Sequence, residues 1–80
     1  MTNLMKYKNA FMEALGIKEE ALVGLNYQDI SEWDSVGHMR MITLMEDAYD
    51  LMMEIDDIID FSSFEKGIDI LAKYGVDITE

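Results

Sequence analysis

Eighty residues make one domain, with little volume for a deep catalytic cavity beside the core. Seventeen acids against six bases give a formal net charge of -11, which repels a phosphate backbone and argues against nucleic acid as a partner. Cysteine is absent, so disulfides and thiolate metal sites are excluded.

Half of the residues are hydrophobic, which argues against disorder despite the charge. Met1 to Lys6 hold no apolar run of signal-peptide length, and nothing approaches the ~18 apolar residues of a membrane span. The expectation is a soluble, cytoplasmic, monomeric protein with no membrane partner. Proline is absent, where average usage of about 5% would supply a few, and Met, Leu, Glu, Ala and Lys are plentiful. Both facts favour helix over sheet.

In chain order, a first helix is predicted over about residues 2–15. Leu4, Met5, Ala10 or Phe11, Ala14 and Leu15 fall near a 3.6-residue period, and Gly16 stands where a left-handed cap would close it. Residues 17–34 form a long connection. Lys18 to Leu22 suit a short helical turn, and Leu22, Leu25, Tyr27 and Ile30 are placed to pin the loop to the core. Connections of this length in a compact domain are often functional.

A second helix, about residues 35–51, carries the stripe Val36, Met39, Ile42, Met45 and Tyr49, widened by Met41, Ala48 and Met52. Asp34 or Ser35 is its N-cap. A short helix over about 56–60 mixes apolar residues with acids. Ser62-x-x-Glu65 has the form of a capping box opening a last helix, about 63–74, with Phe64, Ile68, Leu71 and Ala72 on one side. Gly75 stops it, and residues 76–80 form a tail. The fold class is all-α: three main helices, one short helix and a long first loop.

Several patterns could carry chemistry. Asp34, Ser35 and His38 hold the residue types of a hydrolytic triad, but such groups ordinarily converge from separate elements, and here all lie within one turn. His38, the single histidine, reads as a partly exposed helix residue, and no catalytic residue is assigned. The seven acids between Leu44 and Asp60 (Glu46, Asp47, Asp50, Glu54, Asp56, Asp57, Asp60) fit no calcium-loop spacing, so no metal site is expected. With no base among them, they read as a solvated face suited to steering basic partners. The eight methionines, at helical spacing, read first as core filler, and second as a soft interior that tolerates a variable apolar guest. Ser35 differs. A serine at a helix N-terminus is a common cap, but it is also suited to carry a phosphate ester, with free N–H groups and the positive end of the dipole facing the phosphate.

Asp34-Ser35-Val36 at the start of the second helix resembles the Asp-Ser-Leu signature of the acyl carrier proteins, and Leu15-Gly16-Ile17 resembles the Leu-Gly-Val segment that closes their first helix. The similarity extends over nearly the whole chain, with Met41, Met45 and Tyr49 in apolar core places, Glu46-Asp47 as the paired acids, and Phe61, Phe64, Ile68 and Leu71 in the last core helix. It implies an acyl-carrier-like helical bundle that is not itself an enzyme. Ser35 would bear 4′-phosphopantetheine, and Asp34 would help place the transferase's metal and cofactor substrate. Partners implied are a phosphopantetheinyl transferase, an acyl-loading ligase or transferase, and synthase or acyltransferase enzymes with basic docking patches in fatty-acid, polyketide or related biosynthesis. Val36, Met39, Arg40, Glu46, Asp47 and Asp50 would form the docking face. Arg40, where the fatty-acid carrier usually has an acid, and Trp33-Asp34-Ser35-Val36-Gly37-His38 point to a specialised carrier rather than the housekeeping one. An aminoacyl or peptidyl carrier of the same fold, and an unmodified acidic helical adaptor, remain as alternatives.

Overall fold

In the computed structural model, which describes residues 2–79, four α-helices and one short 3-10 turn make up the regular structure. No strand occurs among the described residues; an isolated antiparallel bridge joins Asn26 to Ser63. The fold is all-α.

Helix α1 spans Asn3–Leu15. The Thr2 hydroxyl caps it by accepting from the Met5 N–H at 3.1 Å. Tyr7, Ala10, Phe11, Ala14 and Leu15 are buried, the i, i+3, i+4, i+7, i+8 spacing of a single face. Leu4 packs against the core as expected, while Met5 is 48% exposed and Tyr7, which periodicity did not place there, is buried. Gly16 ends the helix at φ 65, donating to the Met12 carbonyl at 2.9 Å.

The long connection is ordered by the core. Its 3-10 turn, Glu19–Ala21, falls where a helical turn was expected. Leu22 and Leu25 are buried, and Tyr27 and Ile30 pack against the same core. Two backbone bonds strap the loop to the entry of the last helix: Tyr27 N–H to the Ser62 carbonyl at 2.8 Å, and Phe64 N–H to the Leu25 carbonyl at 2.9 Å.

Helix α2 spans Ser35–Tyr49 and ends two residues before the expected limit, because Asp50 adopts a left-handed conformation (φ 53) and caps it. The Glu46 carboxylate then accepts from the Met53 N–H at 2.9 Å, folding the chain back. Its buried residues are Gly37, Met41, Ile42 and Met45. Val36, Met39 and Met52, assigned to the apolar stripe from sequence, are exposed by 68%, 48% and 85%. The stripe is rotated because Gly37, which periodicity does not score as apolar, faces inward.

Helix α3 spans Ile55–Asp60 and α4 spans Phe64–Ala72. The cap of α4 is Ser63, accepting from the Lys66 N–H at 2.9 Å, rather than Ser62; Ser62 is instead the acceptor for the loop strap. On α4, Gly67 and Ile70 are buried with Phe64 and Leu71, while Ala72 is exposed and Ile68 half-buried. The tail is no loose end: Ile78 is buried and the Asp77 carbonyl accepts from the Asn3 side-chain amide at 3.0 Å. Glu80, the last residue of that expected tail, lies outside the described residues.

The core centre is aromatic. Tyr7, Phe11, Trp33, Phe61 and Phe64 meet at mostly edge or tilted angles, with Phe11 and Trp33 at 5.3 Å and 84°. The Tyr7 hydroxyl donates to the Phe64 carbonyl at 2.6 Å, and burial pushes its pKa well up. Trp33, not placed in the core from the sequence, is completely buried. No described helix is long and apolar enough to cross a membrane.

Candidate functional site

The loop-to-helix junction is built by four residues acting together. Trp33 anchors it from below. Gly37 lets the loop lie against the first turn of α2: a Cβ there would collide with the Glu32 carbonyl and stand 3.1 Å from Leu15 Cδ2. Asp34 is the cap, its Oδ1 accepting from the Gly37 N–H at 2.9 Å, while the His38 N–H donates to the Asp34 carbonyl at 2.8 Å. That choice of cap leaves the Ser35 hydroxyl outside it, on an exposed residue in the first turn.

His38 closes the constellation. The Trp33 indole N–H, which can only donate, lies 2.9 Å from His38 Nδ1. Nδ1 is therefore the acceptor, and the hydrogen sits on Nε2, which donates to the Ile58 carbonyl at 2.8 Å. Both ring nitrogens are thus committed within the fold, and neither is left for the Ser35 hydroxyl. The half-exposed ring foreseen from sequence is correct as to burial, but its two bonds were not foreseen.

Two concavities flank the junction. On the α3 side, Ser35, His38, Met39, Ile58, Ile59 and Phe61 line an apolar groove of about 320 Å³. On the α1 side lies a polar cleft with Glu13, Glu32, Asp34 and Arg40, where the exposed Arg40 reaches the Ala14 carbonyl at 3.5 Å. Ser35 stands at the rim of the apolar groove.

The expected docking residues divide. Val36, Met39, Arg40 and Asp47 are exposed. Asp50 is exposed but serves as the α2 cap, and Glu46 is half-buried with its carboxylate holding the Met53 N–H. Sequence reasoning missed Ile55 and Ile59, which are 73% and 71% exposed on α3 beside Met52. Their i, i+4 spacing within a six-residue acidic helix was the available signal.

Asp57 is the one acid of the run that is buried. It accepts from Lys73 Nζ and from the Tyr74 hydroxyl, both at 2.5 Å, and these bonds hold its pKa below the usual carboxylate range. The Tyr74 hydroxyl in turn accepts from the Glu54 N–H at 2.9 Å. Among the described residues no group of three or more His, Cys, Asp or Glu is arranged to hold a metal ion.

Compared with protein-family models, curated proteins and solved structures, the chain gives no match.

Proposed function

We propose that this chain is a carrier protein of the acyl-carrier type, which bears 4′-phosphopantetheine on Ser35 and presents a thioester-linked acyl group to partner enzymes. The observation that carries this reading is the exposed Ser35 hydroxyl, spared from capping by Asp34 and set at the rim of an apolar groove. The residues fit the group. The first turn of a 15-residue helix offers unpaired N–H groups and a positive dipole end to a phosphodiester. The Ser35 hydroxyl is open to an external transferase, and Asp34 sits next to it. When bound, the arm supplies a terminal thiol for thioester formation. In its attachment, the Ser35 Oγ–P bond forms as the diphosphate of coenzyme A breaks, the nucleotide half leaves, and the hydroxyl proton passes to the transferase.

The docking surface in this reading is Val36 and Met39 on α2 with Ile55 and Ile59 on α3, ringed by Asp47, Asp50, Asp56 and Asp60. Exposed apolar side chains within one sign of charge suit a partner whose apolar patch has a basic rim. The same surface favours a second reading, an acidic adaptor that docks proteins without modification.

The test is intact mass after incubation with coenzyme A and a broad-specificity phosphopantetheinyl transferase, with Ser35→Ala in parallel. The expected result is a gain of one phosphopantetheine on the wild type alone. No gain with several transferases sinks the carrier reading and leaves the adaptor. An aminoacyl or peptidyl cargo is separated from an acyl one by a panel of loading ligases acting on the modified chain.

A further inference from the structure

Helix α3 has little to hold it in place. Its six residues are far fewer than the roughly 12–15 at which an isolated helix becomes even marginal in water. It has no side-chain cap, Ile55 and Ile59 face solvent, Asp57 is its one buried residue, and Ile58 alone packs, partly buried, against the core. Two polar ties fix it instead. On the α4 side, Asp57 is held by Lys73 and Tyr74. On the α2 side, the Ile58 carbonyl lies in the last turn, where an α-helix supplies no internal donor, and His38 Nε2–H supplies one from outside.

The His38 ring is itself fixed. The Trp33 indole N–H holds Nδ1, the Trp33 ring stacks on it at 6.1 Å and 19°, and Tyr27 meets its face edge-on at 5.4 Å. Trp33 is buried against Phe11, a core aromatic contributed by α1. One end of the bond is thus anchored in the core, and the other grips α3, a wall of the groove beside Ser35.

We infer that His38 is a latch: anchored by Trp33, it grips the Ile58 carbonyl, holds α3 against α2, and sets how far the groove beside Ser35 opens to an apolar guest. The latch itself is a property of the unmodified chain; that the guest is cargo carried on Ser35 rests on the carrier reading. His38 is a positioning residue, acting through α3 and not on any reacting atom. The groove's apolar lining side chains, Met39, Ile58, Ile59 and Phe61, have no polar atom to bond across it, and its Tyr27 and Ser62 are joined through the loop strap, so the His38–Ile58 bond is the polar tie between α2 and α3.

The experiment uses the unmodified full chain, so its failure is separate from failure of the mass test. Amide hydrogen exchange is followed in wild type, His38→Phe and His38→Gln. Phenylalanine keeps a ring of similar volume and removes both hydrogen bonds; glutamine returns an amide donor near the Nε2 position. In His38→Phe the α3 amides, including the Ile58 N–H that donates to the Glu54 carbonyl at 3.0 Å, are expected to exchange about tenfold faster, the effect of losing one net hydrogen bond. The protection of α1 and α4 falls less than that of α3, the orphaned Trp33 indole N–H weakening the whole fold alike, and a neutral apolar dye, N-phenyl-1-naphthylamine, binds several-fold tighter. His38→Gln recovers most of the α3 protection. Wild-type α3 exchange in the Phe variant overturns the inference, as does faster exchange spread evenly over the chain. Identical behaviour of the Phe and Gln variants, or faster α3 exchange without a gain in dye binding, overturns it equally.

Discussion

The Glu32 carbonyl rests directly against Gly37, so closely that a single methyl group at that position would collide with it. In an ordinary helix, alanine is preferred to glycine by about 1 kcal/mol. Here the added Cβ meets backbone, which cannot rotate away, and overpacking of this kind costs about 1–3 kcal/mol. Gly37→Ala is expected to lower stability by up to about 2 kcal/mol net. It should also loosen the 32–33 loop, seen as a red shift of Trp33 fluorescence in the still-folded protein. An unchanged emission maximum with gained stability would refute the close approach.

Asp34 and Ser35 are adjacent and both exposed, yet they are predicted to differ. Asp34 makes the cap, so Asp34→Ala should cost about 1 kcal/mol in urea unfolding. Ser35 lies outside the cap, so Ser35→Ala should stay within about 0.5 kcal/mol while abolishing modification. The reverse ranking would make Ser35 the structural residue of the pair.

Acid should loosen α3 before the rest of the chain. The Asp57 pKa is lowered in the fold, first by its bond to Lys73 and next by that from Tyr74. The stability this carboxylate adds is therefore fully present above its ordinary value of 3.8, and is lost as pH falls below it through the depressed value. Hydrogen exchange of α3 between pH 5 and about pH 2 should show this loss, and Asp57→Asn should flatten it. At the alkaline end, burial pushes Tyr49 up to about 12, with its hydroxyl donating to the Asn3 carbonyl at 2.7 Å. Its contribution is present below its ordinary 10.0 and is lost as pH rises through about 12; Tyr49→Phe should weaken the dependence there.

Arg40 is an exposed cation in the cleft on the α1 side of the junction, whose other charged lining residues are Glu13, Glu32 and Asp34. Arg40→Glu is expected to change stability by no more than about 0.5 kcal/mol, since its 3.5 Å reach to the Ala14 carbonyl is long. It should change the association rates of charged partners in opposite senses, with the differences shrinking as salt rises. Rates measured on a panel of transferases and ligases check this; unchanged selectivity refutes a role for Arg40 in partner choice.

Much of the fold was legible in the sequence because its punctuation is local. Gly16 closes α1 and Leu22 and Leu25 pin the loop, as expected, since caps and apolar anchors act over a few residues. The facing of α2 was misjudged because Gly37 has no side chain to score, and its inward position follows from a carbonyl five residues earlier. Trp33 was singled out only as a flank of the motif, because nothing local says that a tryptophan between acids will be buried. The Trp33–His38–Ile58 chain spans 25 residues and ends on a backbone carbonyl, which no residue pattern reveals. The exposed Ser35 was legible; the groove at its side was not, because α3 forms one wall only after the chain has turned at Asp50.

The two backbone bonds between the long loop and the entry of α4 join residues 25–27 to residues 62–64. The turn that displays Ser35 is thus closed by chain that is synthesised well after it. A nascent or truncated chain ending before Phe61 lacks both the strap and an aromatic neighbour of the Trp33 anchor's cluster. In the carrier reading, a transferase that recognises Ser35 by the shape of that turn would act on the folded chain and pass over copies in which the strap has not formed.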